Sequence, residues 1–358
     1  MLKRFLFSSL LGMAVLPAFA GQPDFDFVKA LVIPSTPPNF YPRMTAATAD
    51  STGGVYFVEN VNDYIHYMAD PLTASVGTDT ILVGSGDSFA FSSGSWMGIT
   101  IDSNNTVFAS GSGTNRSGLM RIINSGGNVT TTSISLPSTF SSGAGFTRLG
   151  GCSAVGPNKL VIPGYTDGKL YFFTVAGNSA TLDATVNAPA GYAGVSSCAL
   201  FANGKIYMSN AVSSTSNGGI YAWTSDGTPT NTKNPVQLVA PISGQSSSNS
   251  LYCSLSYNAT FNVLAINEGH NAADKQGWAM YDVSQTAAPW TSYKFLNGSE
   301  AGAPGSLAPG DAAMGHVFFK KGSDEYFMTS NEDATPIARQ FWIYKLKPGA
   351  AVSDWSVY

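Results

Sequence analysis

Residues 198–210 read CALFANGKIYMSN: an apolar run, an Asn203-Gly204 turn, and a second run, Ile206-Tyr207-Met208, that ends on Ser209-Asn210. Asn-Gly between two such runs is a strong short-range hairpin signal, because both turn positions require a positive φ. The same phrase recurs as MTAATADSTGGVYFVEN (44–60), MGITIDSNNTVFAS (97–110), CSAVGPNKLVIPG (152–164), CSLSYNATFNVLAINE (253–268) and MGHVFFKKGSDEYFMTSNE (314–332). The copies are separated by roughly 45 to 65 residues, a period that belongs to propeller blades or solenoid coils.

Each phrase is followed by a third apolar run, at residues 64–68, 119–122, 170–175, 220–223, 278–283 and 341–346. A fourth is expected between copies, at 80–83, 130–136, 180–186, 236–241 and 290–296. Four antiparallel strands per unit, six times over, predict an all-β, six-bladed β-propeller. A parallel β-helix is the alternative, but its coils are shorter than these units. Residues 25–33 lie before the first phrase and read as an outer strand without a blade of its own, whereas the last repeat stops at its third run. The ring is therefore expected to close by N- and C-terminal strands sharing one blade. The competing closure uses a strand at 354–358.

The first twenty residues, MLKRFLFSSLLGMAVLPAFA, carry Lys3-Arg4, an apolar stretch over 5–16 and Ala18-Phe19-Ala20 before Gly21. This is the pattern of a secretory signal peptide cleaved near Ala20-Gly21. Residues 21–358 are expected to form one propeller domain, with no linker composition in between, and to be secreted, either extracellular or periplasmic. No later run approaches the roughly 20 apolar residues of a membrane-spanning helix. Lys and Arg number 18 against 22 Asp and Glu, a net charge of −4, and no basic cluster occurs, so a nucleic-acid partner is excluded. The expected partner is an extracellular small molecule, glycan or protein ligand. Sequons at Asn115, Asn128, Asn258 and Asn297 matter only in a eukaryotic secretory route.

Two pairs of segments, FANGKIYMSN followed by GGIYAWTSDG and DSNNTVFAS followed by GLMRI, resemble blades of secreted propellers of the NHL and SMP-30/gluconolactonase type. That resemblance is architectural and spans most of the chain after residue 20. It implies a propeller that either binds a ligand on its top face or hydrolyses lactones and esters around a divalent ion held by Glu, Asn and Asp. The ligands of that family lie largely nearer the axis and do not match this chain one for one.

The second runs end on a recurrent polar position: Glu59-Asn60, Asn210, Asn267-Glu268 and Asn331-Glu332-Asp333, with Gly111 and Gly164 in units two and three. One reading is that Glu59, Asn210, Glu268 and Glu332 converge to hold Ca²⁺, a hard cation that prefers such oxygens. Glu268 or Asp333 would then activate water, and His270, beside Glu268, is the histidine best placed for general-base work. The other reading is that Asn, Asp and Gly end strands because they tolerate left-handed backbone and bond to their own turns. A polysaccharide lyase would need His270 together with Arg43 and Arg148. For a binding module, Tyr41, Trp96, Tyr192 and Tyr252 precede the first strands, where they would form an apolar or sugar-stacking rim or plug loop bases.

Cys152, Cys198 and Cys253 each sit near the start of a first strand. A Cys152–Cys198 bridge across neighbouring strands, three buried thiols filling the channel wall, and a thiolate metal site are the arrangements open to them. No G-x-S-x-G elbow, phosphate-binding loop, dinucleotide fingerprint or HExxH helix is present.

Overall fold

The computed structural model describes residues 22–32, 44–59, 64–75, 80–83, 95–125, 128–190, 192, 195–211, 219–239, 254–268, 277–307, 313–331 and 340–349. Strand β1 (Asp24–Val32) precedes the first repeat. Blade 1 follows as β2 (Met44–Ala49), β3 (Val55–Glu59), β4 (Ile65–Met68) and β5 (Thr80–Val83). Blade 2 is β6 (Ser95–Ile101), β7 (Val107–Ser112), β8 (Ser117–Ser125) and β9 (Asn128–Ser133). Blade 3 is β10 (Ser153–Gly156), β11 (Lys159–Pro163), β12 (Leu170–Ala176) and β13 (Ser179–Val186). Blade 4 is β14 (Val195–Ala202), β15 (Lys205–Ala211), β16 (Gly219–Thr224) and β17 (Lys233–Val239). Blade 5 is β18 (Leu255–Asn258), β19 (Val263–Glu268), β20 (Gly277–Asp282) and β21 (Lys294–Leu296). The last repeat supplies β22 (Ala313–Lys321), β23 (Asp324–Asn331) and β24 (Gln340–Lys347).

The molecule is a six-bladed propeller of four-stranded antiparallel sheets. Blade 6 has the order β1-β24-β23-β22, with Asp24 opposite Lys347 and Val32 opposite Gln340. The ring is thus closed by the two ends of the chain, as the unpaired outer run before the first repeat implied. Residues 354–358, the competing closure, lie outside the described residues. One smaller expectation changes. Strand β21 starts at Lys294 rather than Trp290, because the Trp290 amide donates to Leu238 O of blade 4 at 2.6 Å and leaves the ladder. The polar stretch 133–145 contains one helical turn, α1 (Ser138–Ser141), which inserts Phe140 beneath blade 3.

Local chemistry explains the hairpins. Asn105, Asn158, Asn203 and Asn262, all in turns between the first two strands of a blade, have φ between 48° and 58°. Asparagine bears that left-handed backbone better than other residues with a Cβ. In blade 1 the turn is organised by Asp50, whose Oδ1 accepts from the Thr52 and Gly54 amides at 2.8 and 2.9 Å.

The second strands read as continuous apolar runs because they are covered on both faces. Every residue of β3 and β7 is buried, whereas the outer strand β9 alternates between exposed and half-buried. The core is accordingly divided into six clusters, one between each pair of adjacent blades. Trp278 of blade 5 meets Trp342 of blade 6 edge-on at 5.7 Å, and Phe57 of blade 1 meets Phe341 of blade 6 at 5.4 Å. Each fully buried large apolar side chain contributes about 1.5–3 kcal/mol, so no blade buries its faces without its neighbours.

Hydroxyl groups tie the inner strands together around the axis. Thr45 Oγ1 donates to Trp96 O at 3.1 Å, Thr100 Oγ1 accepts from the Ala154 amide at 3.0 Å, and Ser153 Oγ accepts from the Phe201 amide at 2.9 Å. Ser254 Oγ donates to His316 O at 3.3 Å. The inner strands fan apart at a small radius, and their spare backbone groups find these partners instead of a continuous ladder.

Candidate functional site

The inner strands of all six blades enclose an axial cavity of about 230 Å³, bounded by Ala46 to Ala49, Gly98 to Thr100, Cys152, Ser153, Cys198 to Leu200, Leu255 to Tyr257, Val317 and Phe318. Most of these residues lie in the inner strands toward the hairpin turns, whereas Cys152 and Ser153 stand at the start of the inner strand of blade 3. The wall is methyl, hydroxyl, thiol and aromatic in character, and among the described residues that line it there is neither carboxylate nor imidazole.

At the other end the second strands finish on buried polar residues: Glu59, Ser110, Ser112, Asn210, Asn267, Ser330 and Asn331. Two of these asparagines serve the backbone. Asn267 Oδ1 accepts from the Ser254 amide at 3.0 Å, and Asn331 Oδ1 accepts from the Gln340 amide at 2.7 Å. Each satisfies a backbone amide, Asn267 at the start of the neighbouring inner strand and Asn331 across the loop that follows it.

Of the expected cation ligands, Glu59 ends β3 with its side chain buried, and its Oε1 accepts from the Tyr64 amide at 3.4 Å. Asn210 is buried in β15, opposite Ser196 and Gly219. Glu268 closes β19 opposite Gly277, which places its backbone only. Glu332, Asp333 and His270 lie outside the described residues. Oxygen donors of this type suit a hard cation. Glu59 and Asn210 occupy equivalent strand ends in blades 1 and 4. Among the described residues, no three His, Cys, Asp or Glu side chains gather closely enough to hold a metal ion.

The other described histidines pack internally. The His66 ring stacks on Phe57 at 4.7 Å, and His316 Nε2 pairs with Ala265 O at 3.0 Å while its ring lies against Phe327. Cys152 and Cys198 are free, buried thiols rather than a disulfide. Burial pushes Cys152 up to about 12 and Cys198 up to about 11, so both remain protonated. Cys198 Sγ lies 3.2 Å from Ser209 Oγ. Cys253 lies outside the described residues.

The expected aromatic rim is redistributed. Trp96 is fully buried in the core between blades 1 and 2, so its indole is packing and not a sugar platform. Tyr192 is half-buried; its ring lies over Gly168, where a Cβ would collide with it, and 5.8 Å from Tyr221. Tyr192 therefore plugs a loop base. Tyr41 and Tyr252 lie outside the described residues, as does Arg43.

A different pair occupies the described top face. The blade 3 loop 164–169 runs beside 148–150, the segment that enters the same blade: Leu149 bridges Gly164, Tyr165 N donates to Arg148 O at 2.7 Å, and Gly150 N donates to Pro163 O at 2.8 Å. Arg148 consequently sets its guanidinium 4.4 Å above the ring of Tyr165, and both residues are half-buried. Asp167 belongs to the loop's own frame, accepting from the Lys169 amide at 3.1 Å and from Tyr171 Oη at 2.6 Å. Arg148 was legible as a candidate only for lyase chemistry. Tyr165 was not singled out, although an aromatic residue directly after Gly164, where other units carry Asn or Glu, marks the position.

No protein-family model matches the chain, and no curated protein matches its sequence. Solved structures match its fold. A calcium-binding regucalcin from Agrobacterium tumefaciens superposes with a TM-score of 0.52 and 12% identity, covering 90% of this chain and 96% of the other. The Trypanosoma rangeli sialidase, solved with the inhibitor DANA, gives a TM-score of 0.51 and 14% identity over 84% of this chain but only 54% of the sialidase. At such identities the likeness is one of architecture. This chain is a six-bladed β-propeller, similar in fold to the regucalcin of the SMP-30 type.

Proposed function

We propose that the protein is exported and acts as a binding module, recognising a glycan on the loop face of its propeller without transforming it. The observation that carries this reading is the Arg148–Tyr165 pair. A half-exposed aromatic ring and a cation are held by two backbone segments already fastened to each other, so little ordering remains to be done on binding. Aromatic rings with adjacent donors suit the apolar faces and hydroxyl edges of sugars. The test is a glycan array probed with the purified protein in the presence and absence of a chelator. Chelator-resistant capture of a defined set of glycans is expected; capture of none refutes the reading.

The buried Glu59 carboxylate favours a second reading, a Ca²⁺-dependent lactonase or esterase. There Glu59, Asn210, Glu268 and Glu332 would hold the ion, which would supply carbonyl polarisation, with Glu268 or Asp333 as the base. A chelator-sensitive melting temperature together with lactone turnover supports that reading; absence of both removes it.

A further inference from the structure

Among the described residues, the Arg148 guanidinium is a half-buried cation without an ion pair. Among the described residues its Nε is buried with no hydrogen-bond partner, and Asp167 of the same loop accepts from Lys169 N and Tyr171 Oη. The described ion pairs all use lysines. The guanidinium Cζ sits 4.4 Å from the centre of the Tyr165 ring, and the planar fork of guanidinium N–H groups suits a carboxylate.

The support for Arg148 is rigid. Ser117 Oγ donates to Thr147 O at 3.3 Å and accepts from the Leu149 amide at 3.0 Å, gripping both neighbours of Arg148. Arg116, next to Ser117, forms an isolated backbone bridge with Ser142, which ties the segment before blade 3 to blade 2. The chain as a whole is net negative, so binding of a carboxylate depends on the local geometry at Arg148 and not on the overall field.

We infer that the ligand held at Arg148 and Tyr165 carries a carboxylate on a sugar, as in a uronic acid residue of an acidic glycan. The inference rests on the glycan-binding reading and sharpens it. Arg148 receives the carboxylate in a forked pair, while the exposed part of the Tyr165 ring lies against the sugar.

The full chain is titrated calorimetrically with an oligogalacturonate, with the same oligosaccharide after carboxyl reduction, and with an oligoglutamate peptide. The acidic sugar is expected to bind at least about 10-fold more tightly than the reduced one, the worth of a charge-assisted pair. Arg148→Gln is expected to abolish that difference, and Arg148→Lys to restore part of it. Melting curves establish that each variant is folded, and Tyr165→Ala provides a second variant that weakens both sugars. Equal binding of the two sugars, or indifference to Arg148→Gln, overturns the carboxylate inference and leaves glycan binding standing. Binding of the peptide alone, or of none of the three, overturns both.

Discussion

Gly98 of blade 2 and Gly151 at the entrance to blade 3 lie backbone against backbone, so a Cβ on Gly98 would collide with the Gly151 Cα and one on Gly151 would sit 2.6 Å from Met97 O. Next to this contact Gly151 O accepts from the Ala199 amide at 3.0 Å, carrying the hydrogen bonding on to blade 4. Three inner strands thereby meet near the axis at a separation that only glycine allows. Gly98→Ala or Gly151→Ala is expected to destabilise the protein by about 1–3 kcal/mol, the usual cost of overpacking a rigid contact. Urea unfolding measures it, and an unchanged midpoint would show that the inner strands can spread.

Strand β1 is expected to behave as part of the core. Phe25 is buried against Phe327, Lys29 Nζ donates to Leu72 O and Ala74 O of blade 1 at 2.9 and 3.0 Å, and Asp24 pairs with Lys294 of blade 5. Phe25→Ala should cost about 3–5 kcal/mol and lower the single melting transition of the whole ring. Loss of a separate, minor transition instead would mean that the closure is an appendage.

Asn267 offers a direct test of capping against cation binding. Asn267→Ala leaves the buried Ser254 amide without its acceptor and should cost about 1–3 kcal/mol, whereas Asn267→Asp retains an acceptor oxygen. Melting with and without Ca²⁺ should show the same difference in both conditions. A penalty that appears only with Ca²⁺ present would make Asn267 a ligand.

The two buried thiols predict both a reactivity and a pH dependence. At pH 8, Cys152 and Cys198 should resist alkylation in the native protein and react on unfolding, as read by peptide mass spectrometry. Their folded values, about 12 and 11, lie above the ordinary thiol value of 9.0. The native state therefore holds more protons than the unfolded one between pH 9 and those values. Stability is fully present below pH 9 and declines as the pH rises through that window. A Cys152→Ala, Cys198→Ala double variant should decline less.

Asp226 supplies the opposite sign. Hydrogen bonds from the Thr228 hydroxyl, Asn231 Nδ2 and the Thr228 amide hold its carboxyl down to about 2, from an ordinary 3.8. The turn after β16 is thus favoured above the ordinary value and loses that support as the pH falls toward 2. A carboxyl-carbon NMR titration checks it, with Asn231→Ala expected to move the midpoint upward.

The propeller was legible because its evidence is local. A phrase such as CALFANGKIYMSN contains its own turn chemistry, and the surplus outer run at one end matches the missing strand at the other. Asn267 shows where that legibility stops. Its place at a strand end was visible in the sequence, but its commitment to Ser254 N depends on the register between two strands. Trp96 looked like a rim residue from its position before an inner strand, and inter-blade packing buries it completely.

By itself, then, the sequence determined the number of blades, the hairpin turns and the shared closure, since each follows from alternation and turn residues within short stretches. Only the tertiary structure decided which polar groups are already used and which still require a partner. Asn331 is satisfied by Gln340 N, the thiols are sealed in the channel wall, and Arg148 is set over Tyr165 by strands that meet only when the sheet forms. The physical reason is that hydrogen-bond satisfaction and burial belong to pairs of residues brought together by stacking blades, and no single segment contains both members.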